Sequence, residues 1–363
     1  MPLISRRFIH DFDYLLLGTV LALTGFGILG VYSATSEAGL GPLRGHLIRI
    51  ALGLALCLFF ALIDYRLLTN HAVPIYLVAV AVLVATLVFG TEVKGSRSWI
   101  QFAGFGVQPS EMAKLAVLLV LAKFLGEVRE SYLGLRTILM LAGLFGLPVL
   151  LVILQGDMGT AVMYFALLGG TLFVAGLKMR LIVTSVLLAG LLAPVGWFSL
   201  QDYQRERIMV TFNPEHDPQG VGYQVRQSKI AIGSGGLTGK GLGEGFQSQL
   251  GFVPEIQTDF IFALLAEEVG FLGGATVLLL FALLLMRILS VASEAGDRTG
   301  ILIAAGVASL IFLHMLTNVG MTLGVLPAIG VPLPFVSYGG SSTLTMFAAL
   351  GMVLSVRTRR FLY

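Results

Sequence analysis

Asp259 is the carboxylate best placed for proton transfer. It lies in Pro254-Glu255-Ile256-Gln257-Thr258-Asp259-Phe260-Ile261-Phe262, where a long polar stretch turns apolar. A carboxylate at such a boundary serves either as a helix cap or as a general base tuned by partial burial, and position alone leaves the two even. Glu111 and Lys114, in Gln108-Pro109-Ser110-Glu111-Met112-Ala113-Lys114, are three apart and share a helix face, so they can pair. A charged pair at a span entrance points to a functional site or to a structural ion pair that fixes the helix. Ser110 is the expected N-cap there, with Pro109 as the chain-entry residue. Asp157, in Gln155-Gly156-Asp157-Met158-Gly159-Thr160, is expected to cap the following helix, which leaves it free to line a polar cavity. The adjacent Glu267 and Glu268 point in different directions on a helix and do not form an acid–base couple; at least one should find a basic or backbone partner. His314 and Asn318, four apart, read as an interhelical hydrogen-bonding stripe rather than metal ligands, because no Cys/His cluster accompanies them.

Two further stretches carry polar chemistry. Gly233-Ser234-Gly235-Gly236-Leu237-Thr238-Gly239-Lys240-Gly241 resembles a phosphate loop but fails its pattern, with Ser234 where glycine is needed and Gly241 where Ser or Thr is needed. It is expected to be a flexible loop approaching a lipid or partner, with Lys240 meeting phosphate as a point charge. Gly330-Val331-Pro332-Leu333-Pro334-Phe335-Val336-Ser337-Tyr338-Gly339-Gly340-Ser341-Ser342 is expected to be irregular, because its prolines and glycines forbid a regular helix, and non-helical backbone at membrane depth must be buried in protein or line a water-filled cavity. With Lys94-Gly95-Ser96-Arg97-Ser98-Trp99 it predicts a polar cavity roofed by loops.

The elements that position these residues are membrane spans. Apolar residues make up 56% of the chain and charged residues 12%, against about 25% charged in a soluble domain. The apolar residues come in blocks long enough to cross a hydrocarbon core as helices, which excludes an ordinary soluble fold. About ten spans are expected, near 14–33, 46–63, 71–89, 111–126, 136–154, 159–175, 181–199, 270–290, 299–323 and 342–357. The fold class is therefore an all-α polytopic membrane bundle, one domain over 1–363, with a long loop at about 200–258. The run behind Arg6 and Arg7 is too long for a signal-peptide core and lacks a small-residue cleavage site, so it should remain as the first span. Cys57 alone provides no disulfide framework. Arg and Lys concentrate in the connections that share a side with both termini, so the positive-inside rule places both termini in the cytoplasm and segments 90–110, 155–158, 200–258 and 324–341 outside. From Asp259 to Ser290 an unbroken helix would run ~48 Å, longer than a ~30 Å core, so it either projects outward or breaks near Gly270, Gly273 and Gly274.

Taken together and in order, Lys94–Ile100, Gln108–Lys114, Gln155–Thr160, Gln249–Gly270 and His314–Ser342 resemble the SEDS family (shape, elongation, division and sporulation), in its RodA-like branch. The resemblance covers nearly the whole chain. It implies a ten-span SEDS fold and a peptidoglycan glycosyltransferase of the bacterial cytoplasmic (inner) membrane that polymerises lipid II into β-1,4-linked glycan for cell elongation and rod shape. It implies lipid II as substrate, membrane lipid around the spans, and a class B penicillin-binding protein with other elongation-complex proteins as partners; no nucleic acid is expected. The family's essential aspartate falls on Asp259, its functional tryptophan on Trp99, and its Glu–Lys pair on Glu111 and Lys114. Asp157, Lys94, Arg97, Lys240, Ser337 and Tyr338 complete the expected cavity.

An acceptor hydroxyl is a weak nucleophile at neutral pH, which gives Asp259 the role of general base. The departing pyrophosphate needs positive charge, from Arg44, Arg205, Arg207, Lys229 or Lys240, or from a divalent cation such as Mg or Mn; no organic cofactor is expected. Two other readings share the polar cavity: a flippase for the lipid-linked sugar, which needs access to both faces, and a non-catalytic scaffold for the penicillin-binding protein.

Overall fold

The computed structural model describes residues 11–36, 39–93, 95–102, 105–128, 135–176, parts of 180–219, and 220–360. The chain is built from helices α1 (Tyr14–Ala34), α2 (Leu40–Leu62), the short α3 (Tyr65–Asn70), α4 (Ala72–Phe89), α5 (Pro109–Glu127), α6 (Leu135–Leu154) and α7 (Met158–Val174). Then come α8 (Asp202–Phe212), α9 (Val221–Ser234), α10 (Phe246–Gln249), α11 (Ile261–Glu268), α12 (Gly270–Ser293), α13 (Arg298–Thr322) and α14 (Ser341–Thr358). Nine of the ten expected spans map onto these helices; the one at 181–199 lies largely outside the described residues.

Composition explains which helices face lipid. Among the described residues, α1, α2, α4, α12 and α13 are each long and apolar enough to cross a membrane. Helix α4 turns Leu77, Val78, Val88 and Phe89 outward, so its surface must match hydrocarbon. Helices α5 and α14 carry more polar groups and are not so apolar, because they sit inside the bundle: Leu118, Val120, Leu121 and Leu125 of α5 and Phe347, Leu350, Val353 and Leu354 of α14 are fully buried. Helices α2 and α14 run side by side in the same direction. Phe347 lies where a Cβ on Gly53 would be, and Gly351 faces the carbonyl of Cys57, so small residues set the close approach.

Two features depart from an all-helical reading. Residues after α4 form a three-stranded antiparallel sheet, β1 (Thr91–Val93), β2 (Ser96–Phe102) and β3 (Phe105–Val107), with Ile100 opposite Val107. The polar–apolar alternation of Ser98-Trp99 and Gln101-Phe102 is the strand period, too short to stand out against the spans around it. The region 200–258 is largely helical where it is described, through α8, α9 and α10.

The long helix after Asp259 breaks at Gly270, whose φ of +74° suits glycine and turns α11 into α12. The glycine-rich stretch is part of this break, and the expectation of a flexible loop is corrected. Lys240 and Gly241 amides donate to the Glu267 and Glu268 carbonyls at 3.1 and 3.0 Å, and the Phe271 and Leu272 amides donate to Gly236 and Leu237 at 2.9 and 3.1 Å. A Cβ on Gly239 would lie 2.1 Å from the Glu268 carbonyl oxygen, so these glycines serve backbone-to-backbone contact.

The end of the bundle that carries both termini is closed by charge pairs. Arg287 meets Asp13 at 2.7 Å, and Asp297 receives Arg66 at 3.0 Å and the Tyr65 hydroxyl at 2.8 Å. Glu294 is gripped by Arg357 and Arg360. Arg359 donates to the Leu62 and Ala61 carbonyls at 2.6 and 3.1 Å, and Arg298 to that of Ala175 at 2.7 Å.

Candidate active site

At the opposite end, Asp259 sits in the turn that leads into α11, with Phe260 rather than Asp259 at the N-cap position. Its backbone is pinned from two sides. The Asn318 side-chain amide donates to the carbonyls of Asp259 and Val331, both at 2.8 Å, and so ties α13 to the turn and to segment 330–340. Ser337 accepts from the Leu333 amide at 2.8 Å and donates to the Thr258 carbonyl at 2.6 Å, while the Tyr338 amide donates to Gln257 at 2.9 Å. The Asp259 side chain is half-buried and faces a bare backbone: its Oδ2 lies 3.3 Å from where a Cβ of Gly330 would stand. Segment 330–340 is non-helical, as its prolines require, and the left-handed φ of Phe335 (63°) stores ~1–3 kcal/mol of strain. The edge-on packing of Phe335 against Phe347, at 5.2 Å, holds that conformation.

A second polar group lies one turn along α13 from Asn318, where His314 meets α5. Lys114 Nζ is 2.8 Å from Glu111 Oε1 and 3.2 Å from His314 Nε2, all three buried, and His314 Nδ1 is 3.4 Å from the Pro332 carbonyl oxygen. His314 and Asn318 are one turn apart on α13, so this stripe links the Glu111–Lys114 pair to Asp259 through segment 330–340. Glu111 Oε2 has no hydrogen-bond partner, which leaves an acceptor inside the protein.

Asp157 is the N-cap of α7, accepting the Thr160 amide at 3.1 Å. It also takes the Gln108 side-chain amide, and Gln108 gives its backbone amide to Ser341 at 2.7 Å. Gln108, not Ser110, is thus the N-cap of α5: Pro109 needs no amide acceptor at the first helical position, and Ser110 turns to Asp157 at 3.4 Å. The sheet docks on the same turn through the Arg97 amide, which donates to the Gln155 carbonyl at 2.9 Å. Trp99 is half-buried in β2 against Gly106, and the Arg97 side chain is exposed, 4.0 Å from Glu92. Lys94 lies outside the described residues.

Lys240 does not join this group. Its ammonium is 2.7 Å from Glu267 Oε1, and Glu267 also takes the Gln247 and Ser248 amides at 2.9 and 3.0 Å. Burial pushes the Glu267 carboxyl up, but the Lys240, Ser248 and Gln247 hydrogen bonds outweigh it and leave the carboxyl below its ordinary value. Glu268, buried against Ser33 and Gln249, is held above its ordinary value by desolvation. Of the other cations considered for a pyrophosphate, Arg205 donates to the Trp197 and Phe198 carbonyls at 3.0 and 2.9 Å, and Arg44 is exposed at the start of α2.

The sequence singles out Asp259, Ser337 and Tyr338 but not the contacts that hold them. Asn318 reads from the sequence as half of a stripe, not as the link to Asp259, and Arg49 only as a charge just inside a span.

The fold and site define a polytopic membrane protein with one closed, ion-paired end and one end where broken backbone carries a half-buried aspartate. Residues 14–361 match the model of the FtsW, RodA and SpoVE cell cycle proteins, and the chain belongs to that family. Peptidoglycan glycosyltransferase MrdB of Escherichia coli K12 is 42% identical over 96% of this chain and 94% of that protein. Stage V sporulation protein E of Bacillus subtilis is 36% identical, over 95% of this chain and 96% of its own. Among solved structures, a chain of a peptidoglycan synthase complex that coordinates polymerization with crosslinking superposes with a TM-score of 0.84 at 31% identity, over 96% of this chain and 98% of that one. The rod shape determining protein RodA of Thermus thermophilus superposes with a TM-score of 0.73 at 29% identity, over the same shares.

Proposed function

We propose that this chain is a peptidoglycan glycosyltransferase that polymerises lipid II into β-1,4-linked glycan for cell elongation, with Asp259 as general base. The acceptor's terminal 4-hydroxyl attacks the anomeric carbon of the donor sugar and gives its proton to Asp259. The bond from that carbon to the pyrophosphate breaks with its electron pair, and polyprenyl pyrophosphate departs. Attack from the side opposite the leaving group turns an α-linked donor into a β-linked product.

The observation that carries this reading is the placement of Asp259: its backbone is fixed by Asn318 and its neighbours by Ser337, while its carboxylate faces the bare Gly330. A positioned base of this kind is worth ~10²–10⁴-fold in rate. The charge-paired opposite end favours an enzyme served from one face over a flippase, which must open both. The distribution of basic residues supports cytoplasmic termini and an extracytoplasmic site in the cytoplasmic membrane. A divalent cation is part of this reading. Among the described residues no group of three or more His, Cys, Asp or Glu is arranged to hold one, so no residue here is assigned to it. The likeness to a chain of a synthase complex supports a penicillin-binding protein as partner.

Glycan-strand synthesis from lipid II in liposomes, with the partner present, tests this reading. Wild type should form polymer and Asp259→Asn should lose it by at least ~100-fold at unchanged melting temperature. Equal polymer from both would remove Asp259 from the mechanism, and none from either would return the flippase and scaffold readings.

A further inference from the structure

Two polar side chains on α2 take no part in the network around Asp259, yet point at its support. His46 is fully buried and neither ring nitrogen has a hydrogen-bond partner; Arg49, three residues on and on the same helix face, has a buried Nη1 with no partner. Both lie against Tyr338, with the guanidinium 4.6 Å from the ring centroid and the imidazole centroid at 5.7 Å. Tyr338 is tied in turn to Gln257, two residues before Asp259.

The stack on Tyr338 gives Arg49 a cation–π contact but leaves its buried Nη1 without an acceptor. An unmet donor on a charged group at membrane depth is costly, and arginines in spans pair or face a water-filled cavity. A Cβ on Gly45 would lie 3.4 Å from the Tyr338 hydroxyl and 3.7 Å from Arg49 Nη1, so the bare glycine leaves a niche between them. Arg44, exposed one residue earlier, adds positive charge at the mouth of the helix. A planar guanidinium with an unmet donor, beside a hydroxyl able to donate, matches a phosphate. On the same helix Leu47, Ile48 and Leu52 are exposed and apolar, a surface along which a prenyl chain can lie.

The geometry points to an anion niche made by Arg49, the Tyr338 hydroxyl and the bare backbone of Gly45, which takes a phosphate oxygen of a polyprenyl pyrophosphate. This assignment rests on the glycosyltransferase reading and names the cation that reading lacked. With Lys240 committed to Glu267 and Arg205 to backbone carbonyls, Arg49 is the arginine with an unmet buried donor at the Asp259 end; Arg287, Arg357 and Arg360, each with a buried Nε unmet, lie at the opposite end.

The test is equilibrium binding to the full-length protein in phosphatidylcholine nanodiscs, with undecaprenyl pyrophosphate, undecaprenol and inorganic pyrophosphate as separate probes. Wild type should bind the pyrophosphate lipid, and Arg49→Gln should weaken it by about 10- to 100-fold, a lost hydrogen bond to a charged group. Binding of undecaprenol should not change, and Arg49→Lys should recover part of the loss. Gly45→Val fills the niche while leaving Arg49 in place, and should weaken the pyrophosphate lipid by a similar factor even where Arg49→Gln alters the fold. Comparable weakening of inorganic pyrophosphate marks a phosphate site, and weakening of the lipid alone marks one that also needs the chain; either supports the niche. Undecaprenyl pyrophosphate binding unchanged in both Arg49→Gln and Gly45→Val overturns it. If the wild type polymerises lipid II while those variants bind as wild type, only the niche fails; if the wild type makes no polymer with its partner present, the glycosyltransferase reading fails independently.

Discussion

The two ends of the bundle solve the problem of polar groups in a membrane in opposite ways. At the end with the termini, Asp13, Glu294 and Asp297 each meet at least one arginine, and Arg298 and Arg359 meet helix-end carbonyls. At the Asp259 end, the hydrogen bonds hold backbone: Asn318 and Ser337 grip carbonyls, while Arg49 Nη1 and Glu111 Oε2 are left without partners. At the first end, among the described residues, only the Nε atoms of Arg287, Arg357 and Arg360 are buried without a hydrogen-bond partner. Each of these arginines is already held by a carboxylate, so that end has little reason to open. An end that spends its side chains on positioning backbone leaves charged groups for something that arrives from outside.

The sharpest test of this contrast exchanges one aspartate at each end. Asp259→Asn should reduce glycan synthesis by ~10²–10⁴-fold and leave the melting temperature within about 1 °C. Asp297→Asn should do the reverse. Burial raises the Asp297 carboxyl, but the Gly300 amide, Tyr65 and Arg66 outweigh it and hold it below its ordinary value, so its charged form is the stabilising one. Its removal should lower the melting temperature by several degrees while activity per folded molecule stays near wild type. If both variants lose activity at unchanged stability, the ends are not functionally distinct.

The next effect in size concerns the buried pair. Lys114→Met leaves Glu111 charged and uncompensated at 3% exposure, which costs ~3–5 kcal/mol. The double variant Glu111→Gln with Lys114→Met removes both charges and should recover most of that stability by thermal melting. Recovery of stability without recovery of polymer would show that the pair serves the site as well as the fold. Recovery of both would assign it to the fold alone.

How much of this was visible beforehand follows from the range of the forces involved. Spans announce themselves because hydrocarbon demands runs of apolar residues, and nine of ten coincide with helices. Asp259, Glu111 and Asp157 were visible because charge near a span is rare. The sheet at Thr91–Val107 was not, since three short strands have no period long enough to compete with the flanking helices. Nor was the glycine clamp: whether Gly239 is a flexible hinge or a backbone contact depends on Gly270, thirty-one positions away, and local pattern cannot supply that distance. Arg49 belongs to the same class, because its meaning comes from Tyr338.

A smaller effect probes that clamp. Gly239→Ala must place a methyl 2.1 Å from the Glu268 carbonyl oxygen at a φ of +81°, so the strand of backbone from 235 to 241 has to move. Destabilisation of ~1–3 kcal/mol is expected. Hydrogen exchange should show loss of protection at the Phe271 and Leu272 amides while the charge-paired end keeps its own. Uniform loss across both ends would mean that the clamp and the far end unfold as one unit.

The smallest effect separates two neighbours within the clamp by sign. Glu267 is held below its ordinary value, so its contribution to stability is present above the unfolded carboxylate pKa and is lost as pH falls through the folded value. Glu268 is held above its ordinary value by desolvation, so its contribution is present below the unfolded pKa and is lost as pH rises through the folded value. Glu268→Gln keeps the acceptor for Ser33 and removes the charge, so it should leave the melting temperature at neutral pH unchanged or raise it by about 2 °C. Glu267→Gln strands Lys240 and should lower it at neutral pH, with the gap to wild type closing as pH drops below the carboxylate range. Melting curves of both variants across that range decide the matter: parallel losses for the two would mean that the clamp senses total charge, and opposite slopes would mean that each carboxylate answers to its own surroundings.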